Sequence, residues 1–181
     1  ALDYTDLDEM HWAHYEIDYC IDSKLLIGTS TQTFAPEDPM TRAMIATVFY
    51  RLADAPSVSG KENPYSDVYD DYYRDAAVWM HSSGVNLDDG YGFFRPDDIV
   101  TRQEFAYLLY RFSGSGKPDA DLTAFSDAGN VDDKYLDAMK WAVAKGIIIG
   151  TDEGTLEPTS GASRAEISAM LYRFLHATNS I

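Results

Sequence analysis

Apolar residues recur at helical spacing in three segments of the chain. Their positions follow the i, i+3, i+4, i+7 pattern that is typical of an amphipathic helix with one buried face. These positions are Ile45, Val48, Phe49 and Leu52, then Phe105, Leu108, Leu109 and Phe112, then Ile167, Met170, Leu171 and Phe174. The pattern predicts three equivalent helices, each with a stripe that must be buried against other parts of the chain.

The same start signal precedes each of these helices. A hydroxyl residue, which suits an N-cap, is followed by an arginine in Thr41-Arg42, Thr101-Arg102 and Ser163-Arg164. Glu104 and Glu166 complete a capping box, whereas the first copy has Met44 at this position and keeps only half of it. The arginines lie 60 and 62 residues apart, which marks a protein of three repeated units.

A shorter helix is predicted at the beginning of each unit. Its approximate spans are 12–24, 72–83 and 134–145. The second and third of these helices stop at Gly84 and Gly146, as expected for a left-handed C-cap, whereas Lys24 occupies this place in the first unit and predicts strain there. Before each helix, Asp6, Asp67 and Asp127 indicate a turn or a helix N-cap.

One unit is too small to bury its own apolar stripe, so the three units must pack together. We therefore predict an all-α fold of three helix–loop–helix repeats spanning 1–60, 61–121 and 122–181. The second helices of the repeats are expected to share a central core around a pseudo-threefold axis. Tyr50, Tyr110 and Tyr172 are predicted to pack in the core or between neighbouring units rather than to serve as platforms for a sugar.

Charge narrows the range of partners. The formal net charge is −16, which argues against nucleic acid and against adsorption to an anionic membrane. The sequence has no apolar run long enough to span a membrane. Cys20, the single cysteine, lies in a helical pattern and is predicted to be a small buried hydrophobe.

The sequence carries little for catalysis or metal binding. His11 and His14 can share one helix face, but no third ligand follows at a spacing typical of zinc sites. The acidic pairs lack the glycine and final glutamate of an EF-hand and are interpreted as solvated turns. No catalytic residue, metal or cofactor is therefore expected.

The repeated marks resemble those of the S-layer homology family. They are an aromatic–Ser/Thr–Asp start, a helix that ends in Gly-Ile/Val, a Phe-x-Pro loop and a Thr-Arg-Ala-Glu motif. The motif reads Thr41-Arg42-Ala43-Met44, Thr101-Arg102-Gln103-Glu104 and Ser163-Arg164-Ala165-Glu166. The resemblance covers nearly the whole chain, in three copies that are in phase.

This resemblance implies a non-catalytic module of an exported bacterial protein. Such modules attach a larger chain to a secondary cell-wall polysaccharide, which carries a pyruvate ketal in some members. The resemblance also implies a three-pronged bundle with ligand grooves between the prongs, lined by the motif arginines. Unit one lacks the motif Glu and unit three has an unusual loop, which predicts that these units bind differently from unit two or not at all.

The arginines have a chemistry that fits this function. Arg42, Arg102 and Arg164 occupy the first helical position, where free N–H groups and the helix dipole favour an anion. A guanidinium adds a bidentate fork for a carboxylate, so a carboxylate-bearing sugar is the hypothetical ligand. In the structural alternative these arginines pair with Asp6, Asp67 or Asp127 and join the prongs together. Both roles are compatible.

The predicted ligand-binding set consists of the motif residues and one aromatic residue at the surface. It comprises Thr41, Arg42, Thr101, Arg102, Glu104, Ser163, Arg164, Glu166 and Trp12. Two other functions stay open. One is a surface module whose grooves hold a protein or peptide, and the other is a glycan-modifying enzyme with two carboxylates as acid and base.

Overall fold

The chain folds into paired helices without a sheet. The computed structural model describes residues 4–178, and within them it has helices but no β-strand. The α-helices are α1 (His14–Asp22), α2 (Arg42–Leu52), α3 (Arg74–Ser83), α4 (Arg102–Ser113), α5 (Leu136–Ala144) and α6 (Arg164–Ala177), with short 3₁₀ helices at Ala128–Asn130 and Asp133–Tyr135. The predicted all-α fold class is confirmed. The first helix of each unit begins two residues later than predicted, at 14, 74 and 136.

Helices pack across the boundaries between repeats. Helix α2 packs on α3, α4 packs on α5, and α6 packs on α1, so the three repeats contact one another in a closed cycle. The tyrosines of the second helices contact aromatic rings of the following repeat in the pairs Tyr50–Trp79, Tyr110–Trp141 and Tyr172–Tyr19, at 5.1–6.1 Å between ring centroids. These contacts support the predicted pseudo-threefold arrangement, which stays a prediction.

The second helices meet in the centre of the molecule. Phe49 of α2 lies 5.7 Å from Phe105 and 5.8 Å from Phe112 of α4, and Phe112 lies 6.2 Å from Phe174 of α6, measured between ring centroids. Phe49, Phe105 and Phe174 are almost completely buried. The apolar stripes predicted from the sequence therefore form one shared core.

Helix ends follow the predicted signals. Thr101 with Glu104 and Ser163 with Glu166 form complete capping boxes, whereas the Thr41 side chain only accepts from the N–H of Met44. Gly84 and Gly146 have φ values of 73° and 68°. Lys24 adopts the same left-handed backbone at φ 59°, where the side chain of a non-glycine residue is strained, as the sequence predicted.

The aspartates at the start of each repeat lie in turns, which is one of the two predicted roles, and their side chains do not cap a helix. The carboxylate of Asp6 accepts the N–H groups of Phe34 and Ala35 at 2.8 and 2.7 Å. Asp67 and Asp127 hold the equivalent loops in the same way. Each aspartate therefore clamps the Phe/Leu-x-Pro loop of its own repeat, about thirty residues later in the chain.

Cys20 is buried between α1 and α6. Its thiol donates to the carbonyl oxygen of Ser168 at 3.6 Å, and burial raises its pKa to about 12. The predicted role as a small buried hydrophobe is confirmed.

Candidate functional site

The backbone N–H groups at the starts of α2, α4 and α6 are already occupied. Arg42 N donates to the carbonyl oxygen of Asp98 at 2.9 Å, and Ala43 N donates to that of Pro96 at 3.0 Å. The starts of α4 and α6 are bonded in the same way to the loops of the third and first repeats. The predicted anion site on free N–H groups is therefore wrong, because the loop of the next repeat satisfies these donors.

The motif arginines extend to the neighbouring repeat. Arg102 Nε donates to the carbonyl oxygen of Leu156 at 2.8 Å, and its Nη1 lies 2.7 Å from Oε1 of Glu166. Arg102 is only 7% exposed. Its partners are thus a backbone carbonyl and the capping-box glutamate of the third repeat, rather than the predicted aspartate.

Arg164 is held in a similar way by the first repeat. Its Nε donates to the carbonyl oxygen of Phe34 at 2.6 Å, its Nη2 donates to that of Ile27 at 2.5 Å, and its guanidinium carbon lies 4.4 Å from the centroid of the Phe34 ring. Burial lowers the pKa of Arg164, and the negative charges of Asp38 and Asp6 oppose this effect. Among residues 4–178, no carboxylate is hydrogen-bonded to this guanidinium.

Arg42 is the least constrained of the three. Its Nη1 is 3.5 Å from the carbonyl oxygen of Leu87, and its guanidinium lies 5.5 Å from the ring centroid of Phe94. Its Nε is buried and has no hydrogen-bond partner among the described residues. All three arginines therefore join neighbouring repeats, but the predicted pairing with Asp6, Asp67 or Asp127 is wrong, because those carboxylates accept loop N–H groups.

Two of the arginines also line cavities between repeats. Groove A, a cavity of about 320 Å³, is built on the first repeat and includes Ile27, Gly28, Met44, Arg51, Tyr72 and Arg164 among its lining residues. Groove C, of about 190 Å³, is built on the third repeat and includes Trp12, Arg102, Ile149, Gly150, Glu166 and Arg173.

Most lining residues of the two grooves stand at equivalent positions of the repeats. In each groove, one wall is the second helix of the repeat, with Arg51 or Arg173 near its end, and the motif arginine comes from the preceding repeat. An aromatic residue of the following repeat, Tyr72 or Trp12, lies at the edge and is 72% or 58% exposed. Each groove thus combines two guanidinium groups with one exposed aromatic face.

The grooves differ in charge at one position. Met44 lines groove A where Glu166 lines groove C, and Glu166 neutralises Arg102 there. None of the described residues that line groove A carries a carboxylate, although the chain as a whole carries −16. Groove A is therefore a cationic site in an acidic protein.

The predicted site residues separate into two groups. Arg102, Arg164, Glu166 and Trp12 line the grooves. The second group has roles at helix N-termini: Thr41, Thr101 and Ser163 are N-caps, and Glu104 completes a capping box. Arg42 belongs to neither group and borders a cavity of about 10 Å³. A ligand-binding role for each residue of this set stays a prediction.

Arg51, Arg173 and Tyr72 are groove residues that the sequence reasoning missed. A signal was available for the arginines, since a Tyr-Arg pair recurs at one place in every second helix. A packing role is predicted from the sequence only for the tyrosine of this pair, and each tyrosine does contact an aromatic ring of the following repeat. The arginine of the pair points to a different surface because adjacent residues on a helix face different directions.

The histidines do not form a metal site. His11 Nε2 lies 3.0 Å from Oε1 of Glu37, and His14 Nε2 lies 3.4 Å from Oδ2 of Asp18. Among residues 4–178, no group of three His, Cys, Asp or Glu side chains is arranged to hold a metal ion. None of the helices in this range combines the length and apolar character needed to cross a membrane.

Comparison with known proteins identifies the repeat. The family model described as S-layer homology domain matches residues 3–44 and 124–167, in the first and third repeats. The chain belongs to the S-layer homology family. The cellulosome-anchoring protein of Acetivibrio thermocellus is 34% identical to it over 152 residues, which cover 78% of this chain and 33% of that protein.

S-layer homology segments occur in proteins with different names. An S-layer protein of Bacillus licheniformis is 26% identical over 93% of this chain and 19% of that protein, and exoglucanase XynX of Acetivibrio thermocellus is 24% identical over 100% of this chain and 17% of that enzyme. The chain spans a third or less of the length of these relatives. A segment shared by a surface-layer protein and an enzyme is an accessory module, so S-layer homology places this chain at the bacterial cell surface as a non-catalytic anchoring module.

Proposed function

We propose that this S-layer homology chain holds a larger exported protein on the bacterial cell wall by binding an acidic wall polysaccharide in grooves A and C. The observation that carries the proposal is the pair of arginines in each groove. Two guanidinium groups in a concave site suit a carboxylate, which they can bind through charge-assisted hydrogen bonds. In a chain with a net charge of −16, such a concentration of positive charge favours an anionic group at these two places.

The edge aromatics support a sugar as the carrier of that anion. Trp12 and Tyr72 are large rings that remain more than half exposed next to the arginines. An aromatic ring that is apolar on its faces and polar at one end suits a surface that is partly apolar and partly wet. A wall glycan with a pyruvate ketal presents both a ring face and a carboxylate, and it is the ligand we propose.

The experiment uses purified wall sacculi from the producing bacterium. Sacculi treated with protease are divided into an intact sample and one stripped of covalently attached polymers by hydrofluoric acid. The chain is expected to sediment with intact, protease-treated sacculi and to remain in solution with stripped sacculi. Equal sedimentation with both would contradict a polysaccharide ligand. Binding that is lost on protease treatment would instead support the alternative of a protein or peptide partner.

A further inference from the structure

The second repeat lacks an open groove at the position equivalent to grooves A and C. Ile27 and Ile149 line grooves A and C and are 60% and 64% exposed, whereas the equivalent Leu87 is only 7% exposed. Leu87, Arg42 and Val100 surround a cavity of about 10 Å³, roughly one water probe in size. We call this position groove B.

Tyr107 stands at the position of the second repeat that lines the groove in the other two repeats. It stands on α4 where Thr47 and Ala169 stand on α2 and α6. Its ring packs edge-on against Tyr135 of the third repeat, with ring centroids 5.3 Å apart. The second repeat therefore carries a phenol ring at the position where the other two grooves have only a threonine or an alanine side chain.

A lysine covers this tyrosine pair. Lys134 lies two residues before α5, where Tyr72 and Trp12 lie before α3 and α1. Its ammonium nitrogen lies 5.7 Å from the ring centroid of Tyr107 and 5.3 Å from that of Tyr135. Groove B thus lacks the exposed aromatic face of the other grooves, and its cation is engaged with two rings.

The loop that borders groove B also differs from the loops that border grooves A and C. Gly28 and Gly150 border grooves A and C, and a Cβ atom at either would lie 2.5 Å from Cε1 of Tyr4 or Phe125. The second repeat has Asp88 at this position. Its carboxylate accepts from the Tyr65 hydroxyl at 2.5 Å and lies 2.7 Å from His81 Nδ1. These bonds hold the loop away from the packing that the glycines allow.

We infer that groove B is closed to the wall glycan, that Tyr107 is the residue that closes it, and that one chain binds two glycan sites instead of three. The inference rests on the proposed function of grooves A and C. The sequence predicts that the first and third repeats bind differently from the second or not at all. A closed groove B also sets the second repeat apart, but it leaves the open grooves in the first and third repeats.

The first test counts binding sites by calorimetry. The probe is a methyl hexoside with a 4,6-linked pyruvate ketal, and the unmodified hexoside is the control. The wild-type chain is expected to bind two molecules, and Arg51→Ala or Arg173→Ala is expected to bind one. Arg111→Ala removes the equivalent arginine of the second repeat, whose Nε donates to the carbonyl oxygen of Gly84, and it is expected to retain both sites. Three sites in the wild type would overturn the inference.

The second test measures closure without a ligand. Cysteine replaces Leu87, Ile27 or Ile149, one in each variant, and its reaction with a charged thiol reagent is compared with that of the wild type, whose one thiol is the buried Cys20. The Leu87→Cys variant is expected to react at least about tenfold more slowly than the other two, because access requires local opening, and adding Tyr107→Ala is expected to accelerate it. Similar rates at all three cysteines would contradict closure. Slow labelling of Leu87→Cys without probe binding anywhere would leave closure standing and refute the proposed function.

Discussion

Arg102 Nη1 lies 2.7 Å from Oε1 of Glu166, which joins the motif arginine of one repeat to the capping-box glutamate of the next. The equivalent arginine of groove A, Arg164, shares its groove with Met44 and has no carboxylate partner within the part of the chain that the structure describes. The same helix start therefore serves two purposes. It closes the ring of repeats through arginine contacts, and it leaves groove A with more positive charge than groove C.

Replacing Met44 by Glu tests this charge difference. Met44→Glu is expected to complete the capping box with Thr41 and to place a carboxylate beside Arg164. The expected gain in the free energy of unfolding is about 0.5–1 kcal/mol, with weaker binding of an acidic glycan in groove A. Met44→Gln is the matched control, since it can complete the box without adding a charge. If both variants bind the glycan equally well, charge in groove A does not determine affinity.

Glu166→Gln is expected to lower the free energy of unfolding. The change removes a charge-assisted bond to Arg102, which is almost completely buried and keeps its positive charge. The expected loss in the free energy of unfolding is about 1–3 kcal/mol, measured by urea denaturation. Glu157→Gln removes an exposed carboxylate nearby and is expected to change stability by less than about 0.5 kcal/mol. Equal effects of the two changes would argue against the ion pair as a link between repeats.

Lys24→Gly should stabilise the chain. Lys24 has φ 59°, a backbone conformation that glycine adopts without steric cost. The expected gain is about 0.5–1 kcal/mol in the free energy of unfolding, after allowing for the greater backbone entropy that glycine loses on folding. Lys24→Ala keeps a Cβ atom and is expected to give no such gain. A gain of the same size from alanine would attribute the effect to loss of the lysine side chain.

Low pH is expected to weaken the hydrogen bonds by which Asp6 holds the Phe-x-Pro loop of the first repeat. Burial alone raises the pKa of Asp6, but the N–H groups of Phe34 and Ala35 and the charge of Arg164 outweigh it and hold the pKa below its usual value. The ionised carboxylate therefore stabilises the folded state above its unfolded pKa of about 3.9, and this contribution is lost as pH falls through the lower folded pKa. Asp6→Asn is expected to lower the melting temperature at neutral pH and to flatten its decline in acid. An unchanged acid profile in that variant would contradict this role.

Local signals in the sequence determined much of the fold. The hydroxyl caps, the apolar stripes and the glycines at helix ends act over a few residues, so Thr101, Phe105 and Gly84 could be assigned to their roles without a structure. The exposure of Trp12 also agrees with expectation.

The groove geometry depends on contacts between residues that are distant in the chain. Arg164 reaches Phe34 across 130 positions, and no periodicity within one repeat indicates that its first helical N–H groups are already bonded. The closure of groove B likewise depends on Tyr107 meeting Tyr135 and Lys134 of another repeat. For this reason the sequence indicated which residues recur but not which of them share a cavity.

The proposed binding of a carboxylate by the arginines of grooves A and C predicts that wall binding depends on salt, because salt screens the attraction between opposite charges. Sedimentation of the wild-type chain with protease-treated sacculi is expected to fall as sodium chloride is raised at constant pH. Arg51→Ala with Arg173→Ala is expected to retain a smaller salt dependence. Binding that is insensitive to salt would favour an apolar partner.

The most direct test is the affinity of a double arginine variant for protease-treated sacculi. Arg51→Ala with Arg173→Ala removes one guanidinium from each groove, and the matched control, Arg74→Ala with Arg111→Ala, removes two arginines that do not line either groove. With helical content and melting temperature checked for both proteins, the groove variant is expected to bind about 10- to 150-fold more weakly, which corresponds to one lost charge-assisted contact in each groove. The control is expected to bind as the wild type does. Wild-type affinity in a folded groove variant would contradict the account.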